Sequence, residues 1–192
     1  MYRNYSYRVC YVMSANSVPP RLVYVLDQYG QHLLPVSDTT RVTEGTRSVN
    51  VTGSGDKRQI TGVPVATMAN EFVGLQAIWQ GKTTRCEPKG VQQHPQLHHD
   101  HSESHWSTLP NMKRLVERII LPDMRAKVAT MGLNPIQVAQ QKSILLLDVW
   151  KVHLLKEFKD FLASNNIIPV YLDPGMTSKE QGSRLPSSFF LL

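Results

Sequence analysis

Two aspartates, Asp27 and Asp148, each close an apolar, strand-forming run: Leu22-Val23-Tyr24-Val25-Leu26-Asp27 and Ile144-Leu145-Leu146-Leu147-Asp148. A carboxylate at the C-terminal end of a buried strand is a hard oxygen ligand on a rigid support. Two such groups on neighbouring strands are the minimum for a site that holds a divalent cation against a phosphate. An isolated strand-end aspartate ordinarily caps a turn, so the elements that carry these two residues decide which role applies.

Other chemical candidates are weaker. His94, His98, His99, His101 and His105, with Asp100, have loose spacing and no cysteine among them, so a polar loop is expected there rather than a zinc site. Gly81-Lys82-Thr83 ends like a phosphate-binding loop, but Gln76 stands where that motif requires glycine, which excludes a nucleotide site of this kind. Lys57, Arg58, Lys82 and Arg85 flank a predicted hairpin and are candidates for phosphate contact. His153, five residues after Asp148, falls one turn into a predicted helix, as an ordinary polar position or one that approaches a phosphate.

The elements that must position these residues follow from periodicity and punctuation. An irregular segment is expected over 1–19, then a strand from Arg21 into Asp27, a turn at Gly30 and a short strand over 32–36. Polar sequence follows over 37–47, then Val49–Thr52 and the turn Gly53-Ser54-Gly55-Asp56. Ile60–Met68 and Phe72–Gln80 read as a hairpin, with a bulge or an unpaired position at Pro64, which has no amide hydrogen for the ladder. A polar loop is expected from Lys82 to Ser104.

A long helix is predicted from Ser107 or Thr108. It buries Met112, Leu115, Val116, Ile119 and Ile120, turns Lys113, Arg114, Glu117 and Arg118 away, is kinked or interrupted at Pro122 and is closed by Gly132. The strand into Asp148 comes next, then a helix over Lys151–Ser164 burying Val152, Leu155, Phe158 and Leu162, then a strand over Ile167–Leu172. The implied architecture is α/β: a mixed sheet with an antiparallel hairpin front, a parallel βαβ back and packed helices.

Composition narrows the setting. The 192 residues are 41% hydrophobic, enough for a real core, and 21 Lys+Arg against 15 Asp+Glu give +6, mild support for a polyanionic partner. Only Cys10 and Cys86 occur, without paired spacing, which favours a reducing compartment. No apolar run approaches the ~20 residues that span a bilayer, and no leader-like stretch opens the chain. An intracellular, soluble protein is expected, in which the sequons at Asn4 and Asn50 are silent.

Five segments, in order, carry a resemblance. They are Val25-Leu26-Asp27-Gln28-Tyr29-Gly30, Gly53-Ser54-Gly55-Asp56-Lys57-Arg58-Gln59-Ile60-Thr61, Leu75-Gln76-Ala77-Ile78-Trp79-Gln80-Gly81-Lys82-Thr83, Glu103-Ser104-His105-Trp106-Ser107 and Leu146-Leu147-Asp148-Val149-Trp150. They resemble the DDE superfamily endonuclease domain of pogo/mariner-type transposases and relatives such as centromere protein B and the jerky-like proteins. The resemblance implies an RNase H-like fold over 20–179, DNA as partner, a nuclear location, and Asp27 and Asp148 as catalytic ligands of Mg²⁺ or Mn²⁺. In such chemistry one ion activates water or a 3′-hydroxyl and the other stabilises the leaving oxygen. In that frame His105-Trp106 is a packing element at the entry to the long helix.

The third acid is where this chain departs from the pattern. After Gly175-Met176-Thr177-Ser178-Lys179 the family continues Leu-Gln-Pro-Leu-Asp, whereas here Arg184 falls at the acid position, within a divergent tail over 180–192 of the kind a shifted frame or an alternative exon would give. A cation there repels a metal, and two carboxylates left facing each other repel one another. Asp173 and Glu180 are the nearby substitutes, and Asp173 visibly starts an Asp-Pro-Gly turn. The expectation is a nucleic-acid-binding domain without cleavage activity. The alternatives are an active Mg²⁺-dependent endonuclease with a substitute acid, a non-enzymatic scaffold, or a gene-model fragment.

Overall fold

The computed structural model describes residues 2–32, 59–90 and 94–172. Its centre is a seven-stranded mixed sheet: β1 (Val23–Leu26), β2 (Tyr29–His32), β3 (Gln59–Thr67), β4 (Phe72–Gln80), β5 (Leu97–Ser102), β6 (Ser143–Leu147) and β7 (Ile167–Tyr171). The order is β5-β4-β3-β1-β6-β7, with β2 also paired to β3. β3 runs antiparallel to β1, β2 and β4, while β6 and β7 run parallel to β1. This is the antiparallel front and parallel back that the sequence predicts.

The segments with the strongest apolar pattern fold as expected. Met112, Leu115, Val116, Ile119 and Ile120 are all buried in the core. They lie on α2 (Leu109–Leu115), a π turn (Val116–Ile120) and α3 (Leu121–Ala129). The expected interruption at Pro122 takes the form of that π turn, whose wider i→i+5 geometry relieves the clash of the proline ring with the carbonyl four residues back. Gly132 follows at φ +67, where a side chain is strained. The hairpin β3–β4 carries a bulge between Val65 and Ala66, next to Pro64.

Five expectations are corrected. Residues Tyr2–Ala15 form helix α1, not an irregular segment; Val9 is buried, with Tyr5, Val12 and Met13 packed against the core. Gly30 lies inside β2, paired with Thr61, and is not a turn. The polar stretch after β4 contains β5, which pairs parallel to β4. A short helix, α4 (Pro135–Gln140), is capped by Asn134, whose side chain accepts the Gln137 amide hydrogen at 2.9 Å. The last helix, α5, begins only at Lys156 and runs to Ser164, so Phe158 and Leu162 are buried but Leu155 is 38% exposed.

Residues 33–36, 37–47, Val49–Thr52 and the turn Gly53–Asp56 lie outside the described residues, as does 173–192 with Asp173, Glu180 and Arg184. Among the described residues no helix is long and apolar enough to cross a membrane.

Candidate functional site

Strand register brings the two aspartates together. Val23, Tyr24 and Val25 pair in parallel with Ile144, Leu145 and Leu146. Continued by two residues, this register sets Asp27 beside Asp148. Side chains alternate between faces along a strand, so Val23, Val25 and Asp27 share one face with Ile144, Leu146 and Asp148. Burial falls along that face: Val23 and Ile144 are fully buried, Val25 and Leu146 half-buried, and Asp27 exposed. The pair therefore stands on an apolar floor and opens to solvent.

β1 and β2 behave as one strand interrupted at the acid. Leu26 pairs with Val65 and Tyr29 with Gly62, a single unbroken register that places Asp27 opposite Pro64. The proline cannot donate to the ladder, and the pairing lapses there. The Gln28 amide donates to Asp27 Oδ1 at 2.8 Å.

Asp148 has a different neighbour. The turn after β6 folds His153 inward, and its side chain is completely buried. His153 Nδ1 lies 2.8 Å from Asp148 Oδ1 and 3.2 Å from the Asp148 carbonyl oxygen. Trp150 meets the imidazole edge-on at 5.1 Å between centroids, Phe158 stacks on it at 6.0 Å, and Tyr171 donates its hydroxyl to the His153 carbonyl at 2.9 Å. The sequence places His153 on a helix as an ordinary polar position or a group near a phosphate; it is instead a buried turn residue that contacts the second aspartate. A histidine that follows a strand-end acid by five residues is the only signal in the sequence.

The candidate cations are not gathered around the acids. Pro64, opposite Asp27, pairs with Leu75, and β4 ends at Gln80, five residues or about 17 Å farther along the strand. Lys82 and Arg85 lie beyond that point and are exposed, with Lys82 Nζ 3.7 Å from Glu103. Lys57 and Arg58 lie outside the described residues. Exposed Lys151, in the turn after Asp148, is a nearer cation that the sequence reading passes over.

The histidine cluster dissolves into pairwise contacts along β5. Trp79 Nε1 donates to His99 Nδ1 at 3.1 Å, and His101 Nδ1 meets Glu87 at 2.8 Å. Burial holds His98 below the usual imidazole range. Asp100 is the buried member: Arg114 Nε reaches its two oxygens at 3.0 and 2.9 Å, Gln76 donates at 2.8 Å and the His101 amide at 2.8 Å. Burial alone would raise the Asp100 pKa, but the Arg114 guanidinium, the Asn111 side chain and the His101 amide hold it below the usual carboxylate range. Arg114, expected to face away from the core, is thus turned onto β5. Trp106, expected to pack at the helix entry, is 59% exposed and touches the His105 ring.

Among the described residues no group of three or more His, Cys, Asp or Glu side chains is placed to hold a metal ion. The acid pair alone fits a more modest task. Mg²⁺ is commonly held by one or two carboxylates, with water and phosphate oxygens completing the shell, and two register-matched, solvent-facing carboxylates meet that requirement.

The fold and the site together define a mixed-sheet α/β domain that presents an acid pair at the ends of two parallel strands. No protein-family model and no curated protein matches the chain. Among solved structures, a Mos1 mariner paired-end complex with Mn is similar over 84% of this chain and 39% of that chain, at 10% identity and a TM-score of 0.45. A Mos1 transposase paired-end complex with left transposon end is similar over 86% of this chain and 39% of that chain, at 8% identity and a TM-score of 0.47. This chain spans about two fifths of the length of those proteins.

Proposed function

We propose that this chain is a nucleic-acid-binding domain of the DDE type, in which Asp27 and Asp148 hold the places of the first two acids and which does not cut its ligand. The observation that supports this most is the parallel register of β1 and β6, which, continued by two residues, puts Asp27 opposite Asp148. Asp27 and Asp148 would hold a single Mg²⁺ or Mn²⁺ weakly; when bound, that ion supplies positive charge to a phosphodiester oxygen. Arg184, at the third-acid position of the sequence, argues against a two-ion cleavage centre.

In this reading the exposed cations Lys151, Lys82 and Arg85 track a phosphate backbone. Lys82 and Arg85 follow β4 and Lys151 follows β6, so a ligand that meets all three is extended rather than a compact anion.

Titration of fluorescent single- and double-stranded DNA at several salt concentrations tests the binding half. Affinity is expected to fall linearly on a log–log plot; absence of any salt-dependent binding overturns it. A nicking assay in Mg²⁺ and Mn²⁺, repeated with Asp27→Asn and Asp148→Asn, tests the other half. No cleavage is expected, and metal-dependent cleavage lost in both variants would show an active enzyme.

A further inference from the structure

We infer that His153 is a positioning residue for Asp148: through its Nδ1 hydrogen it holds one carboxylate oxygen and leaves the other, Oδ2, to face the ligand beside Asp27. The inference rests on the reading of Asp27 and Asp148 as an ion site.

The geometry fixes the tautomer. Both groups within reach of Nδ1, Asp148 Oδ1 at 2.8 Å and the Asp148 carbonyl at 3.2 Å, are acceptors, so Nδ1 carries the hydrogen. Nε2 is buried and has no hydrogen-bond partner among the described residues. A bare lone pair there is a smaller penalty than a buried N–H without an acceptor would be, which again assigns the hydrogen to Nδ1.

The imidazole is in turn held on three sides. Trp150 and Phe158 clamp the ring, and Tyr171, on the neighbouring strand, fixes the His153 carbonyl. The Asp148 side chain is 44% exposed, so without this bond its carboxylate would sample several rotamers in water. An apolar residue would fill the same cavity without stranding a nitrogen. The bond to Asp148 is what the histidine adds. Donors behind metal-binding side chains commonly change metal affinity by about 10–100-fold when removed.

The test uses the full chain and Mn²⁺ alone, with bound and free ion separated by electron paramagnetic resonance. His153→Ala is expected to weaken Mn²⁺ binding about tenfold or more. His153→Asn, whose side-chain amide can place an N–H near the same point, is expected to recover most of the loss. Asp27→Asn is expected to remove the site. If His153→Ala binds Mn²⁺ as the unsubstituted chain does while Asp27→Asn does not, the positioning role is wrong and the ion site stands. If the unsubstituted chain binds no Mn²⁺, the ion site and the inference fall together. Long-range ¹H–¹⁵N spectra of the unsubstituted protein supply a readout that needs no variant to fold. A hydrogen on His153 Nδ1 is expected; a hydrogen on Nε2 overturns the assignment.

Discussion

Asp100 and Asp148 are both aspartates of the parallel strands, and each is met by one basic side chain, yet their surroundings are opposite. Asp100 is 3% exposed and satisfied from several directions, by Arg114, Gln76 and the His101 amide. The Asp148 side chain is 44% exposed, and the protein contacts described for it engage one carboxylate oxygen and the main chain. The first is a buried charge whose hydrogen-bonding capacity is spent inside the fold, tying the edge strand β5 to helix α2. The second is steadied on one side and open on the other. Burial with full satisfaction marks a structural acid, and partial satisfaction beside a second acid marks one available to a ligand.

The largest effect expected from this contrast is on stability. Arg114→Ala strands the Asp100 carboxylate in the core and should cost about 3–5 kcal/mol, read from urea unfolding, with Mn²⁺ affinity unchanged in the folded fraction. Asp148→Asn and Asp27→Asn should each stay within about 0.5 kcal/mol of the parent in the same assay. They should strengthen metal-free DNA binding by removing negative charge. A loss on Asp148→Asn as large as that on Arg114→Ala would erase the distinction.

Acid sharpens it further. The folded-state pKa of Asp100 lies below its ordinary value, so its contribution to stability is present above the unfolded carboxylate value of about 4 and is lost as pH falls through the lower native one. Urea midpoints measured between pH 2 and 7 should therefore drop in acid. Asp100→Asn should flatten part of that drop. Glu71, lowered by its bond to Lys127, adds to the same limb. The smallest effect is Lys82→Ala, which should reduce the slope of log affinity against log salt by about one if Lys82 meets a phosphate, with no change in stability.

The elements that carry the exposed acids are among the most legible in the sequence, because an apolar run ending in aspartate has few other readings. The long helix announces itself for a related reason: its stripe of Met112, Leu115, Val116, Ile119 and Ile120 is buried throughout. The elements that escape notice lack such a stripe or disguise it. In β5, Leu97-His98-His99-Asp100-His101-Ser102 shows no apolar alternation, since an edge strand pairs on one side only and tolerates polar side chains. α4 exposes Ile136 at 69% and Val138 at 41%, so its cap alone betrays it. In α1 the spacing of Tyr5, Val9, Val12 and Met13 is helical, but aromatic and β-branched residues weaken the local propensity and tertiary packing decides. His153 is missed because the helix starts later than its apolar residues indicate, which turns a predicted helix position into an inward-facing turn.

The ladder around Asp27 has a consequence for how such a site can be lost. β1 and β2 keep one register against β3 on either side of the acid, so the chain length through it is frozen. The gain or loss of one residue there would carry the side chain to the opposite face of the sheet. Asp27 can therefore be retired cleanly only by replacement. Asp148 has a ladder behind it and a turn in front, and its orientation depends on His153. Any lengthening or loosening of that turn leaves the aspartate in the sequence but unaimed.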